Sequence, residues 1–215
     1  MNLFDDSIDV ESEPESLGPG ALVLRGFALP RAPSLLHALQ EVAAAAPFRH
    51  MVTPSGLRMS VAMTNCGTAG WVTDRSGYRY DCLDPVSGDH WPGMPACFAE
   101  LASEAAAHAG FDGFVSDACL INRYEPGARL SLHQDRNERT FDAPIVSVSL
   151  GIPAVFLLGG LNRSERPRRM PLTHGDVVVW GGPARLRYHG VMPLKEDHHP
   201  ALGRHRINLT FRKAT

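Results

Sequence analysis

Residues 118–135 read Ala-Cys-Leu-Ile-Asn-Arg-Tyr-Glu-Pro-Gly-Ala-Arg-Leu-Ser-Leu-His-Gln-Asp. Two runs of strand formers, Ala118–Tyr124 and Leu130–Asp135, flank the turn residues Glu-Pro-Gly. The same punctuation continues downstream. Ile145–Leu150, Ala154–Leu158, Val177–Trp180, Leu186–Gly190 and Arg206–Arg212 follow as short apolar or alternating runs with Gly, Pro and polar residues between them. Strands of this length and spacing predict an antiparallel sandwich or barrel.

The same stretch holds the first chemical signal. In a strand, residues two apart share a face, so His133 and Asp135 present an imidazole and a carboxylate side by side. His189 lies fifty-four residues beyond Asp135, in another strand-like run. Two histidines and one carboxylate make a three-ligand facial site with open positions, the arrangement of non-haem Fe(II) oxygenases. A structural zinc site instead closes its shell with four protein ligands, usually including cysteine. His-x-Asp is a short pattern in a chain with ten histidines, so it needs support from elsewhere. The remaining histidines, among them His37, His50, His90, His108, His174 and His205, read as surface or structural residues. His198 and His199 are adjacent on a loop, a poor arrangement for shared ligation.

Support comes from Arg206-Ile-Asn-Leu-Thr-Phe-Arg212. Alternation places Arg206, Asn208, Thr210 and Arg212 on one face and Ile207, Leu209 and Phe211 on the other. Two arginines opposite an apolar row call for an acidic partner. Arginine grips carboxylates bidentately, so a dicarboxylate cosubstrate fits; a solvent-facing row is the alternative. Asn122 and Tyr124 share the two-residue spacing and add hydrogen-bonding groups.

Upstream the text is more mixed. Residues 1–20 read as a loose acidic tail ending in Gly18-Pro19-Gly20, with Asp5, Asp6, Asp9, Glu11, Glu13 and Glu15 and no base in the first sixteen. Ala21–Phe27 reads as a strand. Pro33–Ala46 reads as a helix, with Ser34 as N-cap and Leu35, Leu36, Leu39 and Val42 on its apolar face. Residues 49–95 place Trp71, Tyr78 and Tyr80 among polar residues and glycines, with strand-like pieces at Met59–Met63 and Tyr78–Tyr80. That pattern suits a mobile, surface-facing element more than a core. A second helix is predicted from Ala96 to Ala109, stopped by Gly110.

Composition bounds the function. At 215 residues the chain is about one domain and can bury roughly 70–75% of its unfolded surface without staples. A content of 44% apolar and 20% charged residues fits a soluble globular protein. No apolar run approaches the ~20 residues of a membrane span, and the acidic N-terminus lacks the basic start of a secretory signal. Four cysteines, at 66, 82, 97 and 119, form no Cys-x-x-Cys pair and read as reduced thiols of a cytoplasmic protein. The net charge of −2 becomes +4 beyond residue 16, too mild for tracking long nucleic acid by charge alone. One basic cluster, Arg163, Arg166, Arg168 and Arg169, reads as a solvated loop when taken by itself.

Taken together, the order His-x-Asp, distal His, then Arg-x-Asn-x-Thr-x-Arg resembles the Fe(II)/2-oxoglutarate dioxygenases, and more closely the bacterial AlkB DNA repair dioxygenases. The similarity runs from about residue 20 to residue 213. It includes MVTPSGLRMSVAMTNCG, GWVTDRSGYRY, DACLINRYEPGARLSLHQDRNE, APIVSVSLG, HGDVVVWGG and RINLTFR. The resemblance implies a mainly β fold with flanking helices: a double-stranded β-helix, or jelly roll, carrying an N-terminal nucleotide-recognition lid. It divides the chain into the tail (1–20), helices and lid (21–116) and jelly-roll core (117–215). It implies Fe(II) held by His133, Asp135 and His189, with O2 and 2-oxoglutarate as cosubstrates. It assigns the oxoacid to Asn122, Tyr124, Arg206, Asn208 and Arg212. Substrate contacts fall on Trp71, Tyr78, Arg79, Tyr80, Asn137, Glu138 and Arg163. The implied reaction is hydroxylation of an N-methyl group on a base, with formaldehyde, succinate and carbon dioxide as products. The implied partner is single-stranded or flipped-base DNA, which the sequence does not separate from RNA, and the implied state is a monomer.

One position departs from the family pattern, which has an acid two residues after the metal-binding Asp. Here Asn137 stands there, followed by Glu138. Asparagine keeps a carbonyl acceptor and loses the charge that would favour a cationic base. Three readings compete with nucleobase repair: the same chemistry on another substrate, a binding module without catalysis, and a metal-dependent isomerase of the cupin kind. The last does not need Arg206 and Arg212.

Overall fold

The computed structural model describes residues 13–215; the first part of the expected acidic tail, 1–12, lies outside the described residues. In chain order the strands are β1 (Glu15–Gly18), β2 (Ala21–Leu24), β3 (Arg49–Val52), β4 (Arg58–Gly67), β5 (Gly70–Asp74), β6 (Gly77–Asp81), β7 (Ala118–Tyr124), β8 (Leu130–His133), β9 (Ile145–Gly151), β10 (Ala154–Leu158), β11 (Arg168–Leu172), β12 (Val177–Trp180), β13 (His189–Val191) and β14 (Arg206–Arg212). The helices are α1 (Ala32–Ala45) and α2 (Ala96–His108). None is long and apolar enough to cross a membrane.

The last eight strands divide four and four between two antiparallel sheets. β7, β9, β12 and β14 form the middle of a sheet ordered β1-β2-β12-β9-β14-β7-β4-β3. β8, β10, β11 and β13 form the other, ordered β11-β10-β13-β8. This is the expected jelly roll. Ile145, Trp180 and Tyr124 from the large sheet meet Phe156, Leu158 and Met170 from the small one in a first core. The outer face of the large sheet is buried as well. There Ile207, Leu209 and Phe211 pack with Leu35, Leu39 and Val42 of α1 and Phe98 and Leu101 of α2. Alternation along β14 therefore sorts its apolar residues under the helices and its Arg-Asn-Thr-Arg row between the sheets.

Several elements differ from the sequence expectation. Glu15–Gly18, read as part of the tail, pairs with β2 as an edge strand, and Glu15 forms ion pairs with Arg25 at 2.6 Å and Arg168 at 2.7 Å. Arg168 and Arg169, read as a loop, lie in edge strand β11 opposite Leu158 and Leu157. The strand placed at Leu186–Gly190 runs instead from His189 to Val191. Strand β8 ends at His133, so Asp135 sits just past it. Ser34 is not the N-cap of α1. It lies in the first turn, where its hydroxyl donates to the Arg31 carbonyl at 2.8 Å. Gly110 does end α2: at φ +81° it adopts the left-handed conformation of a C-terminal stop.

The aromatic stretch forms a hairpin. β5 and β6 pair only with each other, with Trp71 opposite Tyr80 and Thr73 opposite Tyr78. A two-stranded ribbon is marginal alone. Its position depends on contacts to the jelly roll, and these converge on the site.

Candidate active site

His133 and His189 are direct cross-strand partners in β8 and β13, with ring centroids 4.3 Å apart. The chain leaves β8 immediately after His133, which brings Asp135 under both rings. The carboxylate oxygens lie 3.6 Å from His133 Nε2 and 3.7 Å from His189 Nε2. These separations exceed a hydrogen bond. One donor atom from each residue lies within 4.8 Å of the others.

The imidazoles are oriented for ligation. His133 Nδ1 lies 2.8 Å from the Ser131 carbonyl, and His189 Nδ1 lies 3.2 Å from the Arg187 carbonyl. A carbonyl only accepts, so each Nδ1 carries a proton and each ring turns its Nε2 toward Asp135. His189 packs beside Trp180 and Phe156. Burial, with His133 beside it, pushes its pKa down to about 3, so the ring is neutral near pH 7. Burial opposes ionisation of Asp135, but Arg212 and the two histidines outweigh it and hold the carboxyl below its ordinary range. Two imidazole Nε2 atoms and a carboxylate thus converge, a donor set that fits a divalent cation.

Arg212 reaches from the opposite sheet. Its Nη2 and Nε lie 2.7 and 2.8 Å from Asp135 Oδ2, and its Nε lies 3.4 Å from Glu138 Oε1. Asp135, Tyr80 and Glu138 raise its pKa despite burial. Six residues away along β14, at about 3.4 Å of rise per residue, Arg206 stands apart from this cluster. It is 1% exposed, yet its Nε and Nη1 have no hydrogen-bond partner. Nη2 donates to Ser149 Oγ at 3.0 Å, and the guanidinium lies 5.0 Å from the Tyr124 ring centroid. Burial pulls the Arg206 pKa down, with Tyr124 offsetting part of the effect. A buried cation with two unused donors fits an incoming carboxylate. Asn208 holds the row together, donating to Ser147 Oγ and the Val148 carbonyl and accepting from Thr210 and Asn122. Asn122 keeps one buried, unpartnered oxygen.

The hairpin closes over this centre. Trp71 stacks on Tyr78 with centroids 5.7 Å apart, and Tyr78 is 47% exposed. The Trp71 indole donates to Asn137 Oδ1 at 3.1 Å, while Asn137 Nδ2 donates to the Tyr78 carbonyl at 3.4 Å. The Tyr80 hydroxyl donates to Glu138 Oε1 at 2.9 Å. Burial and the Glu138 carboxylate push its pKa up and keep it a donor, against an opposing effect from Arg212. Glu138 does not face the open side; its side chain is 1% exposed, wedged between Tyr80, Arg212 and Arg185. Arg79 pairs with Asp74 and Asp81 of its own hairpin. Arg163 is exposed between β10 and β11, with no ion pair among the described residues.

Two side chains that the sequence did not single out hold pieces of the site. Asn65 is fully buried and clamps both backbone groups of Trp71, accepting from its N–H at 3.0 Å and donating to its carbonyl at 3.1 Å. Arg185 is 3% exposed and touches the loop that carries Asp135. The polar pair Thr64-Asn65, straight after the apolar run Val61–Met63, was the available signal for Asn65. Nothing in the local sequence marked Arg185.

Comparison with known proteins agrees with this geometry. Residues 20–212 match the family model described as the 2OG-Fe(II) oxygenase superfamily. The alpha-ketoglutarate-dependent dioxygenase AlkB of Salmonella typhimurium is 58% identical over 214 residues, covering 100% of this chain and 98% of that one. Its Escherichia coli counterpart is 54% identical over 99% of this chain and 98% of that one. The chain is an AlkB-type member of the 2OG-Fe(II) oxygenase superfamily. It is an Fe(II)- and 2-oxoglutarate-dependent dioxygenase. The structure of OsALKBH1 superposes on this oxygenase with a TM-score of 0.83 at 27% identity, over 93% of this chain and 99% of that one. The fold is therefore shared with a structure of much lower sequence identity than these two relatives.

Proposed function

We infer that the protein removes methyl groups from ring nitrogens of nucleobases in DNA, 1-methyladenine and 3-methylcytosine among them, in direct reversal of alkylation damage. One observation carries the reading: in an AlkB-type chain, two imidazole nitrogens and a carboxylate converge beneath an aromatic hairpin. On this reading His133, Asp135 and His189 hold Fe(II). Arg206 receives one carboxylate of 2-oxoglutarate, with Asn122, Tyr124 and Asn208 shaping that pocket. Arg212 serves the other end while restraining Asp135. When bound, iron, 2-oxoglutarate and O2 together supply the oxidation of the N-methyl carbon, and formaldehyde, succinate and carbon dioxide leave.

The chain supplies binding, orientation and exclusion of water. A methyl on a base-pairing nitrogen is hidden in a duplex, so the base enters flipped or from a single strand. Trp71 and Tyr78 provide an aromatic face on which stacking contributes about 1–3 kcal/mol per base. Asn137 and Tyr80 border that face, and Arg79 and the exposed Arg163 offer charge to phosphates. Residues 21–116 then act as helices and lid, 117–215 as the oxidising core, in a monomer.

The test uses a short oligonucleotide carrying one 3-methylcytosine, incubated aerobically with protein, Fe(II), 2-oxoglutarate and ascorbate and read by mass spectrometry. The expected result is loss of one methylene only in the complete wild-type reaction, and not with Asp135→Ala or without 2-oxoglutarate. Succinate formation without demethylation of either a DNA or an RNA oligonucleotide would overturn the assigned substrate. A matched RNA arm ranks the two nucleic acids.

A further inference from the structure

Asp135 lies outside the sheets. Between β8 and β9 the chain runs through residues 134–144 with no regular secondary structure. No sheet ladder fixes the carboxylate against His133 and His189. Arg212 holds the carboxylate itself, and the Arg185 side chain restrains the backbone of the loop that carries it. It follows the short turn Gly182–Ala184 and precedes His189 by four residues. From there it crosses to the Asp135 loop. Nη1 donates to the Asp135 carbonyl at 3.1 Å, and Nε donates to the Ala143 carbonyl at 3.2 Å. Nη2 lies 3.2 Å from Glu138 Oε2 as an ion pair, and the guanidinium stands 5.3 Å from the Phe141 ring centroid. A second strap runs the same way, from the Gln134 amide to the Leu186 carbonyl.

We propose that Arg185 is a positioning residue for the metal-holding triad: it ties the loop bearing Asp135 to the segment bearing His189 and so sets the spacing of their donor atoms. The proposal rests on the reading that the triad holds the metal. Two physical points carry it. First, one planar guanidinium engages three partners along residues 135–143; a lysine ammonium is a point charge and cannot reproduce that fork. Second, Arg185 shares in balancing the buried Glu138, whose other oxygen faces Arg212 Nε at 3.4 Å. Without Arg185, Glu138 competes with Asp135 for Arg212. Neither contact reaches substrate, so the effect is on placement.

The test is titration of metal-free protein with Co(II) alone, read by its visible absorption, beside the unfolding temperature of the metal-free form. Arg185→Lys is expected to weaken Co(II) binding by about 10–100-fold, the usual cost of losing a group that orients metal ligands, and to change the absorption spectrum. Arg25→Lys is the control. It alters the ion pairs that Arg25, just past β2, makes with Glu15 of β1 and with Asp176 in the turn before β12, and should lower stability without moving Co(II) affinity. A merely structural Arg185 would behave like that control, and an unchanged Co(II) affinity and spectrum overturns the proposal. Should Arg185→Lys not fold, Arg185→Met with Glu138→Gln removes both buried charges together and is read against the same two outcomes. Failure of the wild type to bind Co(II) would overturn the triad reading itself, and is distinguishable from failure of Arg185 alone.

Discussion

Arg206 combines burial at 1% exposure with two guanidinium nitrogens that lack acceptors. Such a group costs free energy unless a ligand completes it. Replacing it tests the oxoacid pocket without touching the metal donors. Arg206→Met should raise the KM for 2-oxoglutarate about 10–100-fold, the equivalent of the ~1.5–3 kcal/mol of a hydrogen bond to a charged group. Co(II) affinity should stay within about twofold of wild type on the same scale, and an unchanged KM would remove Arg206 from the pocket. Asn137 poses a different question. Its amide joins the Trp71 indole to the Tyr78 carbonyl, and the charged residue of the family pattern could only accept. Asn137→Asp should favour cationic 3-methylcytosine over neutral 3-methylthymine by up to about fivefold, as a partly exposed charge pair contributes at most ~1 kcal/mol. Equal changes in both turnover rates would show that charge at this position does not select the base.

At the scale of elements, the β5–β6 hairpin is placed by side chains from outside it. Asn65 in β4 holds the Trp71 backbone, and Asn137 and Glu138 on the Asp135 loop hold Trp71 and Tyr80. Asn65→Ala leaves a backbone N–H and carbonyl without these partners, at a cost of about 1–3 kcal/mol for each group kept from water. The expected result is faster hydrogen exchange over residues 70–81 and a higher KM for methylated oligonucleotide. Succinate formation without nucleic acid should remain at the wild-type rate. Unchanged exchange would place the restraint elsewhere. The elements themselves were unequally legible. β14 could be read because its polar row faces the space between the sheets and its apolar row packs under the helices, which makes its residues alternate, and β7 because a run of strand formers ends at the turn residues Glu-Pro-Gly. β1 and β11 could not, since Glu-Ser-Leu-Gly and Arg-Arg-Met-Pro-Leu lie at sheet edges, where one side needs no ladder partner and charge and proline are tolerated. The triad was readable through His-x-Asp spacing, although Asp135 reaches the site from a loop. Arg185 was not, because its role depends on three acceptors that only the tertiary fold assembles.

At the scale of the whole molecule, the two sheets are joined by corners, and one of them is held by a histidine. β9 ends at Gly151 in the large sheet and β10 begins at Ala154 in the small one. Gly151 has φ +92°, and a Cβ there would meet the His205 carbonyl at 2.2 Å, so only glycine fits. Its N–H donates to His174 Nδ1 at 3.0 Å, and His174 packs against His199 with centroids 4.3 Å apart and the rings tilted by 42°. His199 Nδ1 in turn accepts from the Ala201 N–H at 3.3 Å. Protonating His174 would set an N–H against the N–H of Gly151 and place a charge beside the His199 ring. Burial, and then His199, lower the His174 pKa from its ordinary value of 6.5. The unfolded chain therefore takes up this proton before the folded one does. The stabilisation from neutral His174 is complete above pH 6.5 and is lost as pH falls below 6.5 through the folded value. Thermal unfolding of metal-free protein should accordingly occur at lower temperature as the buffer is taken from pH 7 toward pH 5. His174→Gln removes the titrating group from the corner but not from the metal centre, so its unfolding temperature should fall less over the same range. Parallel curves for the two proteins would show that the acid sensitivity arises elsewhere, and that this junction between the sheets holds its geometry whichever way His174 is charged.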